Sequence, residues 1–438
     1  MVLKPLAVAR KRISRAKPSY LLIGAACLHV LTALGVYAAA RLSILPGPFI
    51  AGGLGQFSFD SSRYLQEAKT LVEILISDGI VAWLGYPLEF HVHLYSLSLA
   101  ILSPLFGYSV LAIEPLNLFF YLASLIFIYL IGKEALGRGA GLIAAMIIAL
   151  WPSFLLHTTQ FLKDPLFIVC MLALVFVCMT WLTRIGSWKS ALLKVLLGVA
   201  SIATLARMKG NMWESVGVIV MVGFLLLIAR QARARRILAP NMLSAALMIT
   251  FALLMPVRTT NVHKRDILAT QATEQVGHTS FVWTLLGARI AERRRVFNRF
   301  GGSQASTIDG AVFFNDTEDI LHYLPRATLI GLFAPFPHTW LAPAATTGRV
   351  ARFLSGAETF LFYLVALAAG VCLYVDRRNF STWFLFLVAL VNMVALGLIV
   401  TNLGTLFRLR YVFWMLIIIL GARGLVILAC RNHRLVTV

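Results

Sequence analysis

Long runs with almost no charge constrain this chain more than any other feature. From Tyr20 to Leu45 the only ionised side chain is Arg41. Similar runs lie near 20–43, 112–132, 139–157, 165–183, 190–206, 213–230, 237–256, 357–375, 381–401 and 411–430. A helix needs about 20 apolar residues to cross roughly 30 Å of hydrocarbon. The runs are continuous, whereas barrel strands would alternate in polarity. Hydrophobic residues make up 60% of the chain and charged residues 13%; soluble domains are about half apolar and about a quarter charged. The sequence therefore predicts an all-α polytopic membrane protein. It would have about ten transmembrane helices (ten to twelve), juxtamembrane helices and two large outer loops. No internal repeat or low-complexity tract interrupts this pattern.

The formal net charge of +21 sits between the apolar runs and not on a soluble face. It points to membrane orientation and anionic lipid, with no nucleic acid partner. The basic N-terminus, MVLKPLAVARKRISRAKP, precedes a run with no clear small-residue cleavage site and reads as the flank of a retained first span. With that terminus inside, the inner connections are Lys133–Arg138, Arg184–Lys189, Arg230–Arg236 and Arg377–Arg378, and the tail carries Arg431 and Arg434. The short outer connections are poorer in basic residues, as the positive-inside rule requires. Both termini are then cytoplasmic. Residues 1–256 form an N-terminal transmembrane module with a first outer loop at 44–111, residues 257–356 a second outer region, and 357–438 the last helices. Two apolar pieces, 91–107 and 324–341, carry prolines or polar residues and either cross or lie in the interface. Cys27, Cys170, Cys178, Cys372 and Cys430 lie in or at the end of apolar segments, with neither metal spacing nor a disulfide framework.

The outer connections carry the informative charges. In FDSSRYLQEA, Asp60 opens a segment in which Leu65, Ala68, Val72 and Leu75 recur at helical spacing, so the segment reads as an amphipathic helix on the membrane. TTQFLKDPLF places Lys163 and Asp164 before the fourth span. LARMKGNMW places Arg207 and Lys209 after the fifth, and TNLGTLFRLRY places Arg408 and Arg410 before the tenth. Each has a bland reading: Asp60 and Asp164 as helix caps, the cations as snorkelling side chains. Together they describe a site. Carboxylates suit proton abstraction from a hydroxyl, and arginine and lysine suit a phosphate that gains charge as it leaves. A polyprenyl-phosphate sugar needs that combination, with its tail in the bilayer and its phosphate at the outer interface. The spans themselves read as nearly free of acidic residues, which counts against a transporter.

In the same order, the chain resembles the GT-C superfamily of integral membrane glycosyltransferases. The resemblance is to the branch that includes protein O-mannosyltransferases and the lipid A aminoarabinose transferases. FDSSRYLQEA resembles the family's first-loop motif, with Asp60, Tyr64 and Ala68 on one helical face and Ser61 where the family often has a second acid. FHVHLYSLSLAILSPLFG, which holds His91 and His93, resembles the segment that follows it, without the usual prolines after the histidine. GKEALGRGAGLIAA, ALWPSFLL, the Lys163-Asp164 loop and ARMKG occupy the next places, and the resemblance covers roughly Tyr20 to Trp213. It implies an inverting transferase of the bacterial inner membrane, active on the periplasmic side. A sugar would move from a polyprenyl phosphate to a glycan, lipid or protein acceptor. Asp60 would be the general base, and Asp164 would position the acceptor or help bind a metal. Lys163, Arg207, Lys209, Arg408 and Arg410 would hold the donor phosphate. Tyr64, His91 and His93 would line the first-loop or acceptor side. A polymerase or ligase using polyprenyl-diphosphate glycans needs the same cations and a wider cleft; a lipid-linked sugar flippase is the other alternative.

Two further clusters lie in the second outer region. Arg289, Arg293, Arg294, Arg295 and Arg299 form either a solvated or lipid-facing surface or a seat for an anionic acceptor. Asn315 to Pro325 offers carboxylates of the kind that suit magnesium, calcium or manganese, without the spacing of a recognised metal loop.

Overall fold

A computed structural model describes residues 17–44, 49–55, 59–208, 212–255, 287–300, 307–341 and 348–434. In chain order the helices are α1 Pro18–Arg41, α2 Phe59–Ser77, α3 Gly79–Gly85, α4 Phe90–Phe106, α5 Val110–Leu136, α6 Arg138–Ala149, α7 Pro152–Thr158, α8 Asp164–Thr183 and α9 Trp188–Met208. They continue with α10 Trp213–Ala234, α11 Ala239–Leu254, α12 Ala288–Phe300, α13 Thr317–Phe333, α14 Gly348–Val375, α15 Phe380–Ile399, α16 Leu403–Leu409 and α17 Tyr411–Arg434. Two short antiparallel strands, Phe49–Ile50 and Leu54–Gly55, follow α1.

Among the described residues eight helices are long and apolar enough to cross a membrane: α1, α5, α8, α9, α10, α14, α15 and α17. The helices α6 and α7, bent by 67° at their junction, make a ninth if they count as one span, and α11 is apolar but has only 16 residues. These are the ten runs of the sequence. The axis is α8, 83% of whose apolar window is buried inside the protein, against 22% for α1. Small residues let backbones close up around it. Gly331 of α13 lies against the Met393 backbone and Gly397 of α15 against Ala327, while Gly424 of α17 meets Ala368 of α14, so a Cβ at any of the three would collide with a carbonyl.

The connections sort into two ends. At one, Glu134 in the last turn of α5 pairs with Arg184 after α8, Asn379 donates to the Ala135 carbonyl (3.2 Å), and Asp376 pairs with Arg423 (2.9 Å). These connections, which the charge pattern groups together, share one end. At the other end, Gly53 lies against both Tyr37 of α1 and Val110 of α5. The chain thus leaves and re-enters the bundle at the same end, so 91–107, which forms α4, makes no net crossing. Residues 324–341 do not cross either. Helix α13 enters antiparallel beside α15 and stops where Tyr363 Oη donates to the Phe333 carbonyl (2.5 Å). The chain then turns back, with Trp340 packed on Gly356.

The bend between α6 and α7 has a specific cause. Pro152 has no N–H, and the following Ser153 N–H donates to Glu358 of α14 at 2.6 Å. A helix N-terminus inside the bundle is satisfied by a carboxylate from another helix. A second buried acid, Glu114 of α5, lies 2.8 Å from His29 Nδ1, and His29 Nε2 lies 3.0 Å from the Thr158 hydroxyl. Glu114 and Glu358 are both buried, each held by a partner from another helix that spacing along the chain does not reveal.

Candidate active site

The first outer segment is amphipathic as predicted. Leu65, Ala68 and Val72 are buried and Leu75 is partly so. That face carries Asp60, Tyr64 and Ala68 inward at four-residue steps. Asp60 lies inside the first turn of α2 and not before it. Its carboxylate is not turned on its own helix: Arg408 Nη2 donates to Asp60 Oδ2 at 2.9 Å, across 348 positions of sequence. Asp164, buried in the first turn of α8, stands 3.8 Å from Arg408 Nη1. One guanidinium fork therefore joins the two acids. Burial works against its charge, but Asp164 and then Asp60 outweigh burial and hold the Arg408 pKa above its ordinary value. Ser61 is fully buried beside them, so a second acid at that position would be a buried charge.

Around this core, Tyr64 is buried edge-on to His91, with ring centroids 4.4 Å apart. Lys163 Nζ lies 5.9 Å from the Tyr64 ring and 3.5 Å from Glu89 Oε2. His91 Nδ1 is 3.4 Å from the same Glu89 oxygen. Burial pushes the Tyr64 phenol up, so it stays protonated at neutral pH. Burial also opposes the Lys163 ammonium, but Tyr64 and Glu89 more than compensate and raise its pKa.

Two residues that sequence reasoning missed belong here. Glu89 bridges Lys163 and His91; its position two residues before His91 was the available signal. His157, at the end of α7, lies in the field of Arg408 and Asp164. Its Nδ1 is 2.6 Å from the Ser153 carbonyl and 3.3 Å from Tyr411 Oη. A carbonyl can only accept, so the Nδ1 carries the proton. No spacing along the chain announces this contact.

The remaining candidates separate. His93 faces α3, with Nε2 3.0 Å from the Trp83 carbonyl and its ring 4.9 Å from the indole, so it ties two helices together. Arg207 is exposed in the last turn of α9, and no ion pair joins it to the Asp60 group among the described residues. Lys209 lies outside the described residues.

The side chain of Arg410 turns away from Arg408. It is fully buried, 4.0 Å from the Trp414 ring centroid and 5.1 Å from that of Phe407, with one long hydrogen bond (3.4 Å) to the Gly331 carbonyl. Its Nε and Nη2, and Trp414 Nε1, have no hydrogen-bond partner among the described residues. Burial draws its pKa down to about 9, against the pull of Tyr363 and Tyr411. The guanidinium still carries its charge at neutral pH. The expected convergence of Arg207, Lys209, Arg408 and Arg410 is therefore not what the described residues show. Snorkelling fails as well for Arg408, whose head is turned onto the two acids, and for Arg410, whose head is fully buried.

The second outer region resolves differently from its sequence. Arg294 is buried and donates to the carbonyls of Asp309, Val312 and Leu398, while Arg293 pairs with Glu214. Asp316 accepts from Asp319 N–H (2.9 Å) and Asp319 accepts from Asn315 N–H (2.8 Å), so these acids cap α13. Among the described residues no group of three or more His, Cys, Asp or Glu could hold a metal ion.

No protein-family model matches the chain, and no curated protein matches it by sequence. Among solved structures it is similar to ArnT from Cupriavidus metallidurans bound to undecaprenyl phosphate. The TM-score is 0.38 and the identity 12%, over 92% of this chain and 78% of that one. At that similarity the likeness is a loose one of overall form.

Proposed function

We propose that this protein is an inverting glycosyltransferase that moves a sugar from a polyprenyl phosphate to a glycan, lipid or protein acceptor at the outer face of a bacterial inner membrane. The observation that carries the reading is the meeting of Asp60 and Asp164 on Arg408 at one end of a membrane bundle. Asp60, the more exposed acid, takes the proton of the acceptor hydroxyl. The hydroxyl oxygen attacks the anomeric carbon, the bond to the donor phosphate breaks, and its electron pair leaves with the polyprenyl phosphate. Arg408 holds the Asp60 carboxylate in place by its hydrogen bond, and Asp164 fixes Arg408 from the buried side. The phosphate's growing charge needs cations that carboxylates have not already cancelled. Arg410 has no carboxylate partner among the described residues, while Lys163 stands beside the acids with its charge partly met by Glu89. Tyr64 and His91 border the acceptor side.

The test is turnover of purified protein against a panel of polyprenyl-phosphate sugars, read as release of the lipid phosphate. Asp60→Asn should insert normally and lose ~10²–10⁴-fold in rate. Near-wild-type turnover in that variant would remove Asp60 from the chemistry. Failure of the wild-type protein to bind any polyprenyl phosphate would remove the donor class.

A further inference from the structure

At the end of the bundle opposite Asp60, the arginines divide into two kinds. Arg184 is paired with Glu134, and Arg423 with Asp376. Arg233 and Arg378 have no carboxylate partner among the described residues. Those two line one cleft, of about 410 Å³, between the end of α10 and the turn into α15, with Arg230, Leu182 and Phe380. Arg230 is half committed, donating to the carbonyls of Trp181 (2.6 Å) and Arg184 (3.2 Å). The Arg233 guanidinium lies 6.0 Å from the Phe380 ring centroid. No acidic residue lines the cleft. A second hollow, of about 580 Å³, shares Arg378 and Asn379 with it, and its one acid, Asp376, is the one taken by Arg423.

We infer that this cleft is a binding site for the phosphodiester headgroup of an anionic phospholipid. Three guanidinia around one concavity, without an internal counter-ion, repel one another unless an anion enters. Guanidinium forks fit phosphate oxygens. The surroundings identify the source of the phosphate as lipid. The cleft lies at the ends of α8, α10 and α15, where headgroups rest. Trp383, one turn into α15, donates its Nε1–H to the Arg377 carbonyl (2.7 Å) and keeps its ring partly exposed, as interfacial tryptophans do. Ile185 and Ile237, close in sequence to the lining, are exposed apolar surface suited to acyl chains. Basic pockets between membrane helices bind such headgroups.

The experiment titrates the full-length protein in detergent with dihexanoyl phosphatidylglycerol, dihexanoyl phosphatidylcholine or inorganic phosphate, with bound ligand read by native mass spectrometry. Phosphatidylglycerol should bind at least tenfold tighter than the other two. Arg233→Gln with Arg378→Gln should weaken it about 30-fold, roughly fivefold for each arginine. Lys133→Gln with Arg138→Gln removes the same charge from the same end at residues that do not line the cleft, and should leave binding within about twofold. Should the glutamine pair fail to purify as a monodisperse protein, Arg233→Lys with Arg378→Lys keeps the charge but not the forks and should still weaken binding. Equal loss in the two glutamine pairs would reduce the cleft to diffuse surface charge and overturn the site. Inorganic phosphate binding as tightly as phosphatidylglycerol would overturn the lipid assignment.

Discussion

The two ends of α8 manage charge in opposite ways. At its N-terminal end two acids and an arginine from three separate helices meet in one partly exposed cluster. At its C-terminal end two arginines face a cleft with no acid to meet them. Charges that must hold a fixed geometry are neutralised internally, because a buried ion without a partner costs several kcal/mol. Charges that are to meet something from outside can stay unpaired only where water or headgroups reach them. Arg410 departs from both patterns. It is more deeply buried than Arg408 and without an acid like Arg233, and its Nε and Nη2 lack hydrogen-bond partners among the described residues that a phosphate reaching them would supply.

Removing Arg408 should break the contrast most severely. Arg408→Met leaves Asp164 buried without its guanidinium and should destabilise the protein by about 3–5 kcal/mol, seen as a large fall in the thermal midpoint. A midpoint close to wild type would mean that Asp164 is not held by this pair. Asp60→Asn separates chemistry from folding. Its pair is partly exposed, so the stability loss should stay below about 1 kcal/mol, while transfer falls ~10²–10⁴-fold. A parallel collapse of stability and rate would make Asp60 structural.

Arg410→Leu should leave the thermal midpoint unchanged or raise it, since apolar residues often replace buried ions without loss. The affinity for undecaprenyl phosphate should nevertheless fall by tenfold or more, as expected for lost hydrogen bonds to a charged group. Unchanged lipid affinity would assign Arg410 to packing alone. At the other end, Arg233→Gln with Arg378→Gln should change stability by no more than about 0.5 kcal/mol, because those side chains satisfy no internal charge.

The smallest effect concerns pH. The Lys163 pKa is raised in the folded state, so its contribution is fully present below the unfolded value of about 10.4 and is lost as pH rises through the folded value. The stability gap between wild type and Lys163→Met should therefore stay constant from neutral pH to about 9 and close only at strongly alkaline pH. A gap that closes below pH 8 would mean the ammonium is not stabilised by Tyr64 and Glu89.

Much of this molecule was legible from its sequence, because water and hydrocarbon act on each segment separately. An apolar run of sufficient length becomes a membrane helix whatever its neighbours do, and the ten runs reappear as eight long helices, one bent pair and one short helix. The inward face of α2, from Asp60 to Val72, followed from helical spacing. Basic residues between the runs also showed which connections share an end. Tertiary structure alone decided which charges meet. Arg408 and Arg410 are two residues apart and chemically identical. One closes on Asp60 and Asp164 and the other is enclosed by Trp414 and Phe407, because α16 ends between them and turns their side chains to different neighbours. Glu358 capping α7, His29 on Glu114 and His157 beside Tyr411 are likewise contacts between helices distant in sequence. A pattern along the chain records which face of a helix is buried, but not which side chain of another helix is there to receive it.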